Sequence, residues 1–127
     1  MNIFILLAMI FAHILDDFVL QQSWLAKGKQ RQWWIDNAPS RLYRYDFIMA
    51  LAMHAMSWSF IILLPIAWNY GFNMRLGFFV AFVVNAIIHG TIDHLKANLG
   101  KINLLTDQSF HLAQIICTFV WLLGGGL

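Results

Sequence analysis

His13 and Asp17 stand four residues apart, His89 and Asp93 repeat the interval, and Asp107 and His111 repeat it in reversed order. Residues at i and i+4 of an α-helix lie one above the other on one face. Each pair therefore offers an imidazole and a carboxylate to the same point. That donor set suits Zn, Mn or Fe, and bundle cores build such centres from His and carboxylate side chains on facing helices. Gln21 extends the first stripe by a turn, while Asn85 precedes the second by a turn and Lys96 follows it. His54 has no carboxylate at the same spacing, and Asp46 lies two turns before it.

The candidate ligands for a divalent metal are thus His13, Asp17, His54, His89, Asp93, Asp107 and His111. Asp17, Asp93 and Asp107 are also candidates for the base that activates a bound water, with Lys96 and Lys27 available to neutralise a phosphate. Gln21 and Gln108 are placed to orient carboxylates or substrate. Seven donors exceed the four of a tetrahedral ion, so the surplus would hold a second ion or orient ligands and move protons. Cys117 is the sole cysteine, which excludes a disulfide or a cysteine cluster within one chain. Glutamate is absent, leaving carboxylate chemistry to six aspartates.

Bland readings compete at several positions. A single histidine in an apolar helix is ordinarily a hydrogen-bonded packing residue, and His54 taken alone reads that way. Asp16 reads as a helix-end or headgroup residue, because the i+4 partner of His13 is Asp17. His94 reads as interfacial, Asp46 as the solvated start of its helix, and Lys96 and Lys101 as topology charges. Three matched pairs are harder to explain so. An interhelical network worth about 1 kcal/mol per bond is the structural alternative.

The elements that must carry these residues are helices in lipid. Of 127 residues 61% are hydrophobic and 11% charged, against roughly 25% charged in ordinary globular chains. A bilayer core of about 30 Å needs about 20 residues of helix, and the segments 3–22, 47–68, 76–95 and 104–123 supply four. The expected fold is all-α, a four-helix transmembrane bundle forming a single domain over 1–127. No Lys or Arg precedes the first apolar run and no small-residue cleavage site follows it, so the segment reads as a retained helix, not a signal peptide.

The stretch 27–46 forms a basic, aromatic loop holding Lys27, Lys29, Arg31, Arg41 and Arg44, with Trp33, Trp34, Tyr43 and Tyr45 suited to the headgroup region. A short helix lying on the membrane fits this stretch. Gly71 and Asn73 mark the second turn, Gly100 and Asn103 the third. Lys96 and Lys101 join the five basic residues of the first loop against Arg75 alone on the other side. This bias puts the first and third loops in the cytoplasm and both termini outside it. At 1.5 Å per residue, the four histidines then lie about 10–14 Å below the cytoplasmic helix ends, with the aspartates about 6 Å nearer. The reversed order in the last pair is what an antiparallel helix requires. The tail 124–126 reads as a frayed end, and the many Trp, Phe and Met residues as lipid-facing packing.

The strings HILDDFVLQ at 13–21 followed by Lys27, HGTIDHLK at 89–96 and DQSFH at 107–111 resemble the DUF3307 family, small bacterial and phage membrane proteins of uncharacterised function. The resemblance extends over nearly the whole chain. It implies a multi-span fold in a bacterial inner membrane and marks these polar residues as the family's signature, but implies no activity. In residue types alone, the chain is also distantly similar to membrane-bound metal-dependent hydrolases of the YdjM type.

The expected function is a metal-dependent hydrolase at the cytoplasmic face, acting on a phosphoester or lipid headgroup, because the polar cluster sits at the depth where an amphiphilic substrate arrives. A second expectation is a transport protein passing protons or a metal cation, which the apolar outer halves of the helices oppose. A third is an interaction module of phage or host whose polar network only fixes the bundle. The formal charge of +2 is too small to argue for nucleic acid. A homo-oligomer is left open by the sequence.

Overall fold

The computed structural model describes residues 2–21, 23–73 and 76–126, and every regular element among them is helical. Helix α1 (Ile3–Ile14) runs into a π-helical turn (Leu15–Leu20). Two short helices, α2 (Ser23–Gly28) and α3 (Arg31–Asn37), and a 3-10 turn (Arg41–Tyr43) occupy the basic stretch. Then come α4 (Asp46–Asn69), α5 (Leu76–Ala97) and α6 (Leu104–Trp121), closed by a second π turn (Leu122–Gly126) where a frayed tail was expected. The expected helix end at Gln22 and the basic residue Arg75 lie outside the described residues.

Three helical segments, Ile3–Leu20, Arg41–Asn69 and Leu76–Ala97, are long and apolar enough to cross a membrane. The last helix, α6, is not among them. Thr106, Asp107, Gln108, His111, Gln114 and Thr118 load its inner side with polar groups, whereas Leu105, Leu112, Ile116 and Val120 keep its outer side apolar and exposed.

Local chemistry sets the helix ends. The Asn2 side chain accepts from Phe4 N at 3.0 Å, and Asn103 accepts from Thr106 N at 2.9 Å. Both are N-caps that satisfy a backbone donor the helix leaves free. Past α5, Gly100 adopts φ +58° and Lys101 N donates to Leu95 O at 3.0 Å, a closure that a left-handed residue makes available and glycine adopts without strain.

Helix α4 packs along α5 and α1, and α6 packs against α5 and α1. The approach of α4 and α5 is close at Gly90, where an added Cβ would stand 3.4 Å from Ala55 Cβ. The short helices α2 and α3 lie against α4.

The interior is divided along its length. Ile5, Met9, Ile62, Leu63, Ile66, Phe78, Ala81, Ile115, Phe119 and Leu122 fill one half with apolar side chains. His13, Asp16, His54, His89, Asp93, Asp107 and His111 fill the half nearer α2 and α3. Trp58 sits at the boundary, fully buried, its ring in the apolar cluster. Meanwhile Phe4, Leu7, Phe11, Met53, Phe60, Val83, Ile87 and Ile116 are exposed. Charged groups inside and large apolar groups outside invert the usual soluble arrangement, a distribution compatible with a membrane protein.

Candidate metal centre

The π turn after α1 determines what the first helix contributes. Gln21 N donates to Asp16 O at 2.9 Å, an i→i+5 bond that widens the turn and changes the direction in which successive side chains leave it. Asp16 and Asp17 consequently both face inward. Asp16 is buried and accepts from Ser57 Oγ at 2.8 Å, with its second oxygen 3.5 Å from His54 Nδ1. Asp17 Oδ1 lies 3.4 Å from His54 Nε2 and Asp17 Oδ2 lies 3.6 Å from His13 Nδ1. The expectation of Asp16 at a helix end or headgroup, based on a regular α-helical stripe, is corrected by this wider turn.

His13 is held from both sides. Trp58 Nε1 donates to His13 Nδ1 at 2.8 Å, and because an indole nitrogen can only donate, His13 must accept there and carry its proton on Nε2. That nitrogen faces Gln108 Oε1 at 2.9 Å. The Gln108 amide then donates to Asp17 Oδ2 at 3.3 Å and to Asp107 Oδ2 at 3.0 Å. The tautomer follows from the hydrogen-bond network. The expected ligand His13 thus has both ring nitrogens hydrogen-bonded, to Trp58 and to Gln108.

His54, His89 and His111 present unpartnered nitrogens. His89 stacks between Trp58 and His111, with ring centroids 4.2 Å from each. His54 Nε2 lies 3.6 Å from Asp93 Oδ2, His89 Nε2 lies 3.8 Å from that same oxygen, and His111 Nε2 lies 3.6 Å from Asp93 Oδ1 and 3.5 Å from Asp107 Oδ1. These separations exceed the 2.7–3.2 Å of an N–H···O bond. They are close to the spacing of about 3.4 Å between two ligands that each stand about 2.0–2.1 Å from a tetrahedral ion. Asp17 Oδ1, His54 Nε2, His89 Nε2, His111 Nε2 and Asp107 Oδ1 are all buried without a hydrogen-bond partner, each at a cost of about 1–3 kcal/mol. Two sets have donor atoms close enough to share one ion: Asp17, His54 and His89, and His89, Asp93 and His111. Asp107 belongs to neither set but touches the second through His111.

The family model described as "Protein of unknown function (DUF3307)" matches residues 5–125, a stretch that contains all three polar strings. The chain belongs to the DUF3307 family. No curated protein and no solved structure matches it.

In this DUF3307 chain two ammonium groups close the cluster. Lys29 is buried and its Nζ lies 2.5 Å from Asp93 Oδ2. Gln21, with its amide oxygen turned to Lys29, accepts from Nζ at 2.8 Å and donates to Asp17 O at 3.2 Å. Lys96, one third exposed, pairs with Asp107. Lys27, expected near a phosphate, is exposed, and the lysine that enters is Lys29. The sequence signal that could have singled out Lys29 is weak: it is one of five basic residues in a loop whose folding-back no helical period announces. Trp58 was likewise passed over as packing, although it lies four residues after His54 on the same stripe. The His94 ring is stacked on Phe47. Asp46 lines a separate cavity with Trp24 and Met53.

Four carboxylates (Asp16, Asp17, Asp93, Asp107) face two ammoniums (Lys29, Lys96) and the imidazoles of His13, His54, His89 and His111, which carry positive charge when protonated. Isolated buried charge is costly. Protonated histidines or a divalent cation would balance carboxylates in excess of the ammoniums, and the imidazole and carboxylate donors are of a kind that a divalent cation accepts.

Proposed function

We propose that this chain is a four-helix bundle in a bacterial inner membrane, with α1, α4, α5 and α6 as its spans, the basic stretch and the α5–α6 turn in the cytoplasm and both termini outside. Its polar half is a divalent-metal centre (Zn, Mn or Fe) that hydrolyses a phosphoester or lipid headgroup reaching it from the cytoplasmic side. One observation carries the reading: two overlapping sets of buried donors, Asp17, His54 and His89, and His89, Asp93 and His111, have ligand atoms close enough to share an ion, and their separations suit the edges of a coordination polyhedron better than hydrogen bonds.

An ion there would act as a Lewis acid and make water a nucleophile near neutral pH. Either Asp17, His54 and His89 or His89, Asp93 and His111 would hold it. Asp107 lies beside that set for base chemistry, and Lys96, reaching partly to the exterior, is placed to meet the negative charge of a phosphoester. Three-residue ligand sets also leave coordination positions for water and substrate.

The apolar half of the interior favours this reading over transport. Beyond His89 and His111 the polar groups end in a closed cluster: Gln114 Nε2 donates to Asn85 Oδ1 at 2.7 Å, and Asn85 Nδ2 donates to Thr118 Oγ1 at 3.0 Å. Met9, Ile62, Ile66 and Leu122 then fill the core with no polar path past them among the described residues.

The test is metal content by inductively coupled plasma mass spectrometry on detergent-purified wild type and His89→Ala. Near-stoichiometric metal in the wild type and its loss in the variant are expected, with Asp93→Asn abolishing turnover in a screen of phosphoester and lipid substrates. Folded wild type that stays metal-free after incubation with Zn, Mn and Fe would overturn the proposal.

A further inference from the structure

Outside the metal centre, Arg31, Arg41 and Arg44 line one cavity of about 420 Å³ together with Trp34 and Ser40. No carboxylate lines it, and none of the three guanidiniums makes an ion pair among the described residues. Three like charges around one concavity repel one another and concentrate a positive field there. The cost is relieved by an anion. A guanidinium offers a planar fork of donors that matches the oxygens of a phosphate.

The walls of this cavity are fixed by hydrogen bonds and a ring contact, of which the Asn98 bond to Lys29 O also holds the segment that carries Lys29 to Asp93. Trp34 Nε1 donates to Gly28 O at 2.8 Å, which holds the indole in place as one wall. The Asn98 side chain accepts from Arg31 N at 2.6 Å and donates to Lys29 O at 2.9 Å, so the turn that carries Arg31 is tied to the end of α5. Arg44 is stacked over Tyr45 at 4.6 Å from the ring centre, an arrangement that limits its rotamers while leaving its N–H edge free. Ser40 Oγ accepts from Leu42 N at 3.3 Å, and its own O–H remains available to donate. Walls held in this way reduce the entropy lost when a ligand binds.

We propose that the Arg31–Arg41–Arg44 cavity binds a phosphate group, carried by an anionic lipid headgroup or by a free phosphoester. The site is distinct from the metal centre, since the two share no lining residue.

Binding is measured by isothermal titration of glycerol 3-phosphate into the detergent-solubilised full chain, and by native mass spectrometry of the chain released from nanodiscs containing phosphatidylglycerol. Wild type, Arg41→Gln/Arg44→Gln and His89→Ala are compared. Saturable glycerol 3-phosphate binding that weakens at least tenfold in the double variant assigns the cavity to a free phosphoester. Retention of phosphatidylglycerol by wild type but not by the double variant assigns it to a lipid phosphate. In either case His89→Ala binds as wild type does, which separates this site from the metal centre. Should the double variant lose its helical circular dichroism, Arg31→Gln takes its place with the same expectation. Equal binding by wild type and the arginine variants, or no binding of either probe, overturns the proposal.

Discussion

Lys29 and Asp93 are 64 positions apart in the chain, yet their charged atoms meet at 2.5 Å in the interior. Asp93 also faces His54, His89 and His111, so the ammonium of Lys29 and a metal ion would draw on the same carboxylate. The pair therefore sets a competition. Lys29 compensates Asp93 when no ion is bound, and a divalent ion would take over that compensation when it binds.

Lys29→Met is expected to lower the thermal stability of metal-free protein, because removing one partner of a buried pair costs about 3–5 kcal/mol. Added metal should restore more stability to the variant than it adds to the wild type, since the freed carboxylate binds the ion more tightly. The measurement is the melting temperature in detergent with and without Zn or Mn. A variant whose melting temperature does not respond to either ion would show that Lys29 and the metal do not share Asp93.

Trp58→Phe keeps the ring packing against the apolar core but removes the indole N–H that donates to His13 Nδ1. The loss should cost about 1–3 kcal/mol for the orphaned acceptor. It should also loosen the His13–Gln108–Asp17 chain, with metal affinity falling about 10–100-fold as for other outer-shell partners. Nitrogen-15 chemical shifts of His13 provide a direct readout. Wild type should show the Nε2–H tautomer and the variant a mixture, and a wild-type Nδ1–H tautomer would contradict the network.

What the sequence made legible follows from where the chain is regular. Helix α5 is an uninterrupted α-helix, so the i, i+4 reading placed Asn85, His89 and Asp93 on one buried stripe, where the structure has them. The same rule on α1 picked Asp17 and set Asp16 aside, because nothing in the string LDDFVL announces a turn of π geometry. His54 was legible only by depth, and the structure brings it to the other donors through Asp16 and Asp17. Lys29 was hidden for a different reason. Its partner is reached by a chain reversal through α2 and α3, which depends on tertiary bonds such as Asn98 to Lys29 O and not on a local period. The all-α class and the three most apolar helices were readable from composition and run length, whereas α6 carries enough inward polar groups to dilute that signal.

Gly90 offers a test of how tightly the centre depends on helix approach. It neighbours His89 in sequence and faces Ala55, next to His54, so the two histidines are set by how closely α4 and α5 pack here. A Cβ at position 90 would lie 3.4 Å from Ala55 Cβ, tight but adjustable by a small shift. Gly90→Ala should accordingly leave both stability and metal content near wild type, with the gain in helix propensity offsetting slight crowding. Gly90→Ile is different, because its two γ carbons branch from that same Cβ and χ1 is largely restricted to one rotamer in a helix, so they cannot both turn away from α4. Overpacking of this kind costs about 1–3 kcal/mol and is relieved by moving α5 outward, carrying His89 away from His54. Helical circular dichroism should persist in Gly90→Ile while bound metal is lost. Full metal content in that variant would mean that the spacing of α4 and α5 does not set the centre's geometry.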